Sequence, residues 1–523
     1  MTSRLTRPLP ALALALLGGL AQAASIALPG TGQPAWWLQV ASLALLVVLL
    51  NAAPGWRRAA LLGWVFATAW LCGTFWWLFV SMHSYGGLAA PLAGLAVFAL
   101  AAFLGGYYAF ACGVFRALAA RPAWSPLAFA ALWLLAELLR ARWFTGFPWG
   151  AGGYAHVDGP FAALAPWIGA YGIGFVAAVL AHVIATVRPG TRAPVGWAVG
   201  VCVLGAAAIL VPGASRGTDN GQPLSVALLQ GNIPQDEKFE GQTGVPLALG
   251  WYAEQLETSR AQLVVAPETA IPLLPQQLPE GYFHALVERF QSGKQAALVG
   301  IPLGSFEEGY TNSVIGVKPG DELYRFDKHH LVPFGEFIPP LFRWFTDLLH
   351  IPLGDFNRGA VGQPSFAWAG QRLAPNICYE DLFAEELAAR FTDAASAPSI
   401  FVNVSNIGWF GNTIAIDQHL QISRMRALEF DRPVIRATNT GATAIVDHRA
   451  RVMDALPRYT RGVLTGQVQG RSGTTPFAWW MARLGLWPLW LLGAAPVFAA
   501  LLRLRGRARP VKSGECSPSS KSS

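Results

Sequence analysis

The sequence predicts a multi-pass α-helical membrane bundle of about eight transmembrane helices, joined to one extracytoplasmic α/β domain. Three observations predict this fold class. Apolar residues make up 53% of the 523 residues and charged residues only 13%, whereas a soluble protein carries about 25% charged residues. Eight apolar runs occur, and most have lengths near the ~20 residues that span a bilayer. A long polar section, residues 213–475, separates the first seven runs from the last.

The apolar runs give the predicted helices in chain order. They lie at about 9–28, 34–53, 59–81, 87–115, 124–139, 160–187, 193–212 and 476–502. The run at 124–139 is the shortest and ends near Glu137 and Arg140. The first run resembles a secretory signal, because Arg4 and Arg7 precede it and Ala-Gln-Ala precedes Ala24. Whether it is cleaved or retained, the next segment starts outside, and we expect a retained helix.

Loop charges predict the orientation, because Lys and Arg are enriched in cytoplasmic loops. Arg4 and Arg7 put the N-terminus in the cytoplasm, and further arginines follow helices two, four and six (Arg57, Arg58, Arg116, Arg121, Arg188 and Arg192). The alternate loops 29–33 and 82–86 carry no Lys or Arg. Seven crossings from inside end outside. The predicted domains are a membrane domain (1–212), an extracytoplasmic domain (213–475), a final transmembrane helix (476–502) and a cytoplasmic tail (503–523).

One loop departs from this charge rule. Arg140 and Arg142 lie on the predicted outer side, in the stretch that runs to Trp149. Either the loop simply tolerates two charges, or it forms part of a site next to the outer domain. The pattern alone favours neither interpretation.

Charge and cysteine content exclude two classes of protein. The formal net charge of +8 is compatible with a nucleic-acid partner. However, the basic residues lie mostly in short loops between apolar runs, so we expect no nucleic-acid binding. Of the five cysteines, only Cys378 falls in the polar section, so no disulfide framework is available there.

The polar section alternates strand-like and helix-like segments, which is typical of an α/β domain with layered sheets. The predicted strands are Leu224–Leu229, Leu263–Ala266, Ala297–Ile301, Val314–Val317, Leu373–Ile377, Ile400–Val404, Val434–Ala437 and Ala442–Val446. The predicted helices are Ala248–Arg260, Tyr282–Gln291, Leu382–Thr392 and Gln418–Phe430. No repeat of fixed period occurs, and no Gly-rich phosphate loop follows a strand.

Three polar residues lie just past strand-like runs, where sites assemble in α/β folds. Glu268 follows Leu-Val-Val-Ala-Pro, Cys378 follows Leu-Ala-Pro-Asn-Ile, and Lys328 follows a short extended run. A thiolate is a strong nucleophile, and a carboxylate can take its proton and return it to a leaving group. An ammonium together with a backbone N–H, such as that of Tyr379, can stabilise an oxyanion. These three residues predict an acyl-transfer site that works through a thioester.

Each of these residues also has a simpler interpretation. A single Cys is often a small buried hydrophobe, a Glu after a strand can cap a turn, and a Lys is usually a solvated surface charge. His329 and His330 offer a rival Cys–His dyad. A His pair can also bind a metal, but no second ligand cluster has a suitable spacing. The sequence gives no sign of a metal or an organic cofactor.

The motifs around these residues resemble the nitrilase superfamily. The matching stretches are Ala-Pro-Glu268-Thr, Phe-Asp-Lys328-His-His-Leu-Val-Pro-Phe-Gly-Glu336 and Asn-Ile-Cys378-Tyr-Glu-Asp. The resemblance implies an α-β-β-α sandwich. It also implies Glu268 as general base, Lys328 as oxyanion stabiliser and Cys378 as the nucleophile that carries the acyl group.

The whole chain resembles the apolipoprotein N-acyltransferase family, which combines such a domain with helices before and after it. The supporting stretches are Thr-Gly-Phe147-Pro148-Trp149, Gln230-Gly-Asn232-Ile-Pro-Gln, Asn403-Val-Ser-Asn406 with Trp409-Phe410-Gly411, Gln418-His419 with Arg426-Ala-Leu-Glu429, and Arg436-Ala-Thr-Asn439-Thr-Gly. The resemblance adds Glu336, Tyr379 and Glu380 as supporting residues. Ile407, Asp417 and Phe239 depart from the pattern, where Asp, Pro and Trp are usual.

This resemblance implies a reaction and its partners. A phospholipid such as phosphatidylethanolamine would give an acyl chain to Cys378 as a thioester. The chain would then pass to the α-amino group of the diacylglyceryl-cysteine of an apolipoprotein. We therefore expect a bacterial inner-membrane enzyme, acting as a monomer, whose catalytic domain faces the periplasm.

The apolar stretch Leu341–Leu353 has two interpretations. It could be a membrane-facing flap over the acyl site, or a helix packed on the sandwich.

Two rival functions share some of these features. A membrane-tethered amidase or nitrilase could use the same triad, but seven preceding helices exceed what a tether needs. A transporter or scaffold would carry more charges inside its apolar runs than Glu137 alone.

Overall fold

The computed structural model describes residues 8–118, 124–187, 217–305, 307–320, 322–338 and 356–507, together with Gly196 and Gly200. Three predicted features lie outside the described residues. They are the proposed flap at 341–353, nearly all of the apolar run at 193–212, and the C-terminal tail beyond residue 507.

The described apolar runs are all helical. The helices that precede the polar section are α1 (Pro8–Ile26), α2 (Trp36–Ala52), α3 (Trp56–Phe75), α4 (Ala90–Leu118), α5 (Ser125–Arg142) and α6 (Ala165–Thr186). Among the described residues, four helical segments are long and apolar enough to cross a membrane: Leu9–Ile26, Trp56–Phe75, Ala90–Leu118 and Pro160–Thr186. These helices fit a multi-pass membrane region, within which α2 is a shorter apolar helix.

The last apolar run is not the single helix that the sequence predicted. It forms two helices that meet at 85°, Pro476–Leu484 and Trp487–Arg507. Gly485 has a φ of 54° at the break, a conformation that ends a helix readily. Pro488 then lies in the first turn of the next helix, where backbone N–H groups have no partner within the helix, so the N–H that proline lacks is not needed. The first of the two helices packs beside the polar domain, where Arg483 donates to the carbonyl of Thr392.

The polar section folds into two six-stranded sheets. The first sheet has the order β12-β1-β2-β3-β4-β5 and the second β11-β10-β9-β8-β7-β6. In chain order the strands are β1 (Leu224–Gln230), β2 (Leu263–Val265), β3 (Ala296–Ser305), β4 (Gly309–Val317), β5 (Tyr324–Asp327), β6 (Phe366–Trp368), β7 (Gln371–Ile377), β8 (Ile400–Ser405), β9 (Val434–Thr438), β10 (Ala444–Val446), β11 (Val452–Ala455) and β12 (Gly462–Val468). Strands β1 to β3 are parallel to one another, as are β7 to β9.

Side-chain alternation builds the layers of this domain. Along β1, Val226 and Leu228 face the second sheet, whereas Ala227 and Leu229 face helices on the outer side. Those helices are α7 (Gly244–Thr258) and α8 (Tyr282–Gln291). A further helix, α9 (Ala415–Phe430), covers the outer face of the second sheet. The domain is thus an α-β-β-α sandwich.

The predicted helix at Leu382–Thr392 is wrong in part. Residues Cys378–Leu382 form a 3₁₀ turn, Ala384–Ala388 a short helix and Ala389–Phe391 another turn. Phe383 separates the first two because its ψ of 82° is not helical. The first turn is held at the end of β7 instead, because the Glu380 carboxylate accepts from the backbone N–H of Ile377.

Helix α9 joins the sandwich to the membrane helices. A continuous apolar core runs from α1–α6 through Ile422, Met425 and Phe430 of α9 to the second sheet. The two helices after the sandwich, α10 (Pro476–Leu484) and α11 (Trp487–Arg507), complete the bundle, and Gly493 of α11 lies against Leu135 of α5.

Candidate active site

Glu268 lies just past the end of β2 and is almost fully buried. Its Oε1 accepts hydrogen bonds from Asn312 Nδ2 at 2.7 Å and from Lys328 Nζ at 3.2 Å. Its Oε2 accepts from the backbone N–H of Asn406 at 2.8 Å. Burial opposes ionisation, but the Lys328 ammonium and these donors outweigh it and lower the pKa of Glu268. The carboxylate is therefore ionised and available as a proton acceptor.

Lys328 lies just past the end of β5, between two carboxylates. Its Nζ contacts Glu268 Oε1 and also Glu336 Oε1, the latter at 2.8 Å. Glu336 is held in turn by Asn312 Nδ2 at 2.7 Å and by the N–H of Val332 at 2.8 Å. Burial disfavours the ammonium form of Lys328, but the negative charges of Glu268 and Glu336 have the larger combined effect and raise its pKa. Lys328 is therefore held as a cation between Glu268 and Glu336.

Cys378 begins the turn that follows β7, with a φ of 50°. Such a left-handed conformation costs roughly 1–3 kcal/mol for a residue other than Gly and is frequent at functional sites. The Cys378 carbonyl accepts from His419 Nε2 at 3.1 Å and from Asn403 Nδ2 at 3.3 Å, which holds the turn. Burial and the Glu268 charge raise the pKa of the Cys378 thiol to about 12, against the opposing effect of Lys328. The resting group is a thiol.

Glu380 connects the nucleophile turn to the lysine segment. Its Oε2 accepts from the N–H of Ile377 at 2.7 Å. Its Oε1 accepts from the N–H groups of His329 and His330, at 2.7 and 3.2 Å. One buried carboxylate therefore fixes the position of Cys378 relative to Lys328.

Tyr379 connects the same turn to the membrane domain. Its hydroxyl donates to the carbonyl of Gly146 at 3.0 Å, and its ring stacks near that of Phe147. Arg140, which is buried, shapes this loop by donating to the carbonyls of Phe147 and Trp149, at 2.8 and 2.7 Å. Of the two interpretations of this loop, the structure favours the one that puts it beside the site.

The predicted site residues come together, but the rival histidines do not join them. His329 Nδ1 pairs with the carbonyl of Gly359 at 2.7 Å. His330 Nδ1 pairs with Glu386 Oε1 at 2.8 Å, and its ring stacks on Phe383. Within the described part of the chain, neither ring has a hydrogen bond to Cys378. A Cys–His dyad is therefore not formed by this pair.

Several groups that support the site were not assigned from the sequence. Asn312 and the N–H of Asn406 hold Glu268, whereas His419 holds the Cys378 turn within an ionic network that includes Asp381 and Arg436. Lys238, also buried, lies directly behind Glu268. Asn406, His419 and Arg436 occur in stretches noted for their resemblance to the family, which was the available signal for them. Nothing in the local sequence marks Asn312 or Lys238.

The three departures from the family pattern are accommodated locally. Asp417 pairs with Arg458 and lies close to Gly32 of the loop after α1. Ile407 is buried in the core between α9 and the membrane helices. Phe239 is half exposed, next to Lys238.

Two family models match the chain. Residues 18–183 match the "Apolipoprotein N-acyltransferase N-terminal domain", and residues 225–477 match "Carbon-nitrogen hydrolase". Together they cover the membrane helices up to α6 and the sandwich domain.

Curated relatives match nearly the full length of the chain. An apolipoprotein N-acyltransferase of Verminephrobacter eiseniae is 61% identical over 90% of this chain and 92% of its own length. Those of Ralstonia nicotianae and Bordetella bronchiseptica are 45% and 42% identical, covering 90% and 91% of this chain and 90% and 94% of theirs.

Two solved structures of carbon-nitrogen hydrolases each match about half of this chain. A CN-hydrolase superfamily protein from Xanthomonas campestris is 18% identical, with a TM-score of 0.35, and covers 51% of this chain and 96% of its own. A carbon-nitrogen hydrolase from Helicobacter pylori is 15% identical, with a TM-score of 0.36, and covers 51% of this chain and 94% of its own.

Proposed function

The chain belongs to the apolipoprotein N-acyltransferase family, and from this premise we propose how its own residues perform the reaction. The protein is a membrane acyltransferase of lipoprotein biosynthesis. The acyl donor is a phospholipid of the phosphatidylethanolamine type. The acceptor is the α-amino group of the diacylglyceryl-cysteine at the N-terminus of an apolipoprotein.

In the first half-reaction Cys378 Sγ attacks the ester carbonyl of the phospholipid. Glu268 takes the thiol proton as the S–C bond forms. This concerted transfer is needed because the resting thiol has a pKa of about 12. Lys328 and the N–H of Tyr379 stabilise the oxyanion of the tetrahedral intermediate. The C–O bond then breaks, and Glu268 returns the proton to the departing lysophospholipid alkoxide, which leaves a thioester on Cys378.

In the second half-reaction the acceptor amine attacks the thioester carbonyl. Glu268 takes the proton that the amine loses, and the same two donors stabilise the second oxyanion. The C–S bond breaks, and the thiolate recovers its proton from Glu268. The net change exchanges an ester for an amide, and the enzyme is restored.

One observation carries this proposal: the Tyr379 hydroxyl beside the nucleophile bonds to Gly146 of a membrane-domain loop. The same loop exposes Trp143 and Phe144, whose side chains are 56% and 74% accessible. A thioester site joined to such a loop suits a donor whose acyl chain stays in lipid. Extraction of a chain of about fifteen methylenes into water would cost roughly 0.8 kcal/mol for each one. A water-soluble amide needs none of this arrangement, so we regard the amidase alternative as less supported.

We further propose the orientation in the inner membrane, with the sandwich domain (213–475) in the periplasm. Three loops predicted to lie outside all touch the sandwich: Gln421 donates to Gly32, Tyr85 packs on Trp409, and Tyr379 donates to Gly146. Helix α6 starts on that side, where the N–H of Ala170 donates to Glu429, and ends on the other.

This proposed orientation includes one more crossing before residue 217. We assign that seventh crossing to the apolar run at 193–212, nearly all of which lies outside the described residues, and the eighth to α11, after which the tail is cytoplasmic. Glu268, Lys328 and Cys378 come from one chain, which fits action as a monomer.

Intact-protein mass spectrometry after incubation with phosphatidylethanolamine tests the proposal. We expect a fatty-acyl mass on wild type that hydroxylamine or a diacylated lipopeptide with a free amine removes. Cys378→Ala should carry no adduct, whereas Cys112→Ala, a matched change of a cysteine buried within α4, should behave as wild type. An adduct that persists in Cys378→Ala would exclude Cys378 as the acyl carrier. No adduct and no product with either lipid substrate would reject the acyltransferase proposal.

A further inference from the structure

Lys238 is a second buried lysine at the site, and the mechanism above does not use it. It lies in the turn between β1 and α7, and only 2% of its surface is accessible. Its Nζ donates to the backbone carbonyl of Glu268 at 3.1 Å and to Thr269 Oγ1 at 2.7 Å. Both partners belong to the turn that presents the proposed general base.

This turn is strained and closely confined. Thr269 has a φ of 45°, which is unfavourable for a β-branched residue. On the side of β3 the turn lies against Gly300, where a Cβ would come within 2.2 Å of the carbonyl oxygen of Pro267. The N–H of Ile271 donates to Gly300 at 3.1 Å. Gly300 therefore confines the turn from one side, and Lys238 holds it through Glu268 and Thr269.

The charges around the nucleophile give Lys238 a second role. Glu268 and Glu336 are opposed by the ammonium of Lys328 and, when it is protonated, by that of Lys238. Glu268 and Cys378 both favour the charged form of Lys238, because a negative charge on either group raises the pKa of the lysine. When the thiol proton passes to Glu268, the negative charge moves to sulfur, and two ammonium groups still balance two anions. Without Lys238 this buried group of charges would carry an excess of one negative charge, which disfavours the thiolate and the oxyanion.

We propose that Lys238 is a positioning residue for the acyl-transfer reaction: it fixes the Glu268–Thr269 turn and supplies the second cation that balances the charge of the site. This inference rests on the proposed function of Glu268 and Cys378. Lys238 acts through these two groups and is not assigned a contact with either substrate.

Thioester formation in Lys238→Met tests the inference in the full chain in detergent micelles with phosphatidylethanolamine. Met has nearly the same shape but no charge. We expect the rate of acyl-Cys378 formation to fall about 100-fold, with little change in the KM for phospholipid. The midpoint of thermal unfolding should fall, because Met removes both hydrogen bonds to the turn and leaves the buried carboxylates with one excess negative charge. A purely structural lysine would lower the midpoint as well, but the rate per folded molecule and its pH profile would stay those of wild type.

The pH profile separates a charge effect from a packing effect. Burial lowers the pKa of Lys238 to about 7, so its cation is present below that pH and is lost as the pH rises through it. Wild type should lose rate on the alkaline side of neutrality, and Lys238→Arg, which keeps its charge, should retain more rate there. Lys238→Met should lack this alkaline decline. A Met variant with the wild-type rate, or with the wild-type alkaline decline, would overturn the proposal.

Thr269→Val keeps the test decisive if Lys238→Met does not fold. It removes the acceptor of the shorter Lys238 hydrogen bond while keeping a β-branched shape, so we expect an intermediate loss of rate. A wild-type rate and pH profile in Thr269→Val would count against the proposal. The wild-type protein by itself tests the underlying function: if it forms neither the acyl adduct nor the product, the proposed function fails. If wild type is active and the variants have the same rate, only the role of Lys238 is rejected.

Discussion

At the scale of single residues, the site pairs a protonated thiol with an ionised carboxylate. Glu268 is held by Asn312, Lys328 and the N–H of Asn406, which lower the pKa of its carboxyl group. Cys378 has a raised pKa of about 12 in the same pocket. Proton transfer from the Cys378 thiol to the Glu268 carboxylate is therefore unfavourable until the sulfur can form a bond to a substrate carbonyl carbon. Because of this pKa difference, the proposed attack depends on bound substrate, and the thiol stays protonated in its absence.

Glu386 provides a prediction about pH and stability at this scale. Burial raises the pKa of Glu386 to about 7 from 4.5, although the neighbouring Arg142 and Arg358 guanidinium groups oppose the shift. His330 Nδ1 also faces this carboxylate. The folded state therefore binds more protons than the unfolded state between pH 4.5 and 7, so the free energy of unfolding should fall as the pH rises through that range. Glu386→Gln should reduce this fall.

Thermal unfolding of the detergent-solubilised protein at pH 5 and pH 8 measures the effect. Glu288→Gln is the matched control, because the Glu288 side chain is 66% accessible. It should keep the wild-type difference between the two pH values. If Glu386→Gln shows the same difference in unfolding midpoint between pH 5 and pH 8 as wild type, Glu386 is not the group that makes stability fall as the pH rises.

At the scale of elements, α9 is the joint between the two parts of the molecule. Its Gln418 Oε1 accepts from the indole N–H groups of Trp77 and Trp149, at 3.1 and 2.8 Å. Its Nε2 donates to the carbonyl of Thr74 at 3.0 Å. Further along the buried face of the same helix, Arg426 and Glu429 form an ion pair at 3.0 Å. The helix is polar in sequence and yet buried, because the membrane domain supplies its partners.

The turn after β7 gives a prediction about this joint. Tyr379→Phe removes the hydrogen bond to Gly146 while keeping the ring, so it should cost about 1 kcal/mol of stability. It should also slow thioester formation several-fold, because the turn that carries Cys378 loses its connection to the membrane loop. Initial rates with phosphatidylethanolamine and the midpoint of thermal unfolding measure the two effects.

Tyr282→Phe is the matched control for this prediction. The Tyr282 hydroxyl donates to the carbonyl of Leu249 at 2.9 Å, a bond between α7 and α8 on the far side of the first sheet. Tyr282→Phe should lower the stability by a similar amount without changing the rate of thioester formation. Equal rates in the two variants would contradict a role of the Tyr379 hydroxyl in positioning the turn.

At the scale of the whole molecule, the candidate active site lies where the sandwich meets the loop that contains Gly146. The apolar core is continuous across this boundary. Arg424 Nη2 also pairs with Asp158 Oδ1, in the loop before α6, at 2.5 Å. Since polar and apolar contacts both cross the boundary, we expect the sandwich and the bundle to behave as one body, with lipid reaching Cys378 beside the loop at 143–149.

The proposed orientation predicts a labelling pattern. Cysteines introduced at Thr31 and Ala395, both exposed, should react with a membrane-impermeant maleimide in intact cells with a permeabilised outer membrane. A cysteine at Pro54, exposed on the other side of α2, should react only after the inner membrane is disrupted. Label at Pro54 in intact cells, or protection of Ala395, would contradict the orientation.

The sequence by itself determined the broad architecture. The described apolar runs are helices, and the eight predicted strands are all present. The length of an apolar run and the alternation of apolar and polar residues depend only on neighbouring residues, so both can be recognised in the sequence without knowledge of tertiary contacts. Edge strand β5 was expected only as a short extended run before Lys328. The short edge strands β6 and β11 and the returning strand β12 were not predicted, because their pairing is set by distant partners: β12 joins β1 from the other end of the domain.

The sequence also singled out Glu268, Lys328 and Cys378 as candidate site residues, since the chemistry of each and the motif around it stand in a few consecutive residues. Only the tertiary structure decided which buried groups act on them. Lys238, Asn312 and His419 come from separate elements, and their roles depend on distances across the fold. The break at Gly485 and the contact of Tyr379 with Gly146 were decided in the same way. The physical reason is that a buried charge or a strained turn is stable only with partners, and those partners are supplied by packing between distant parts of the chain.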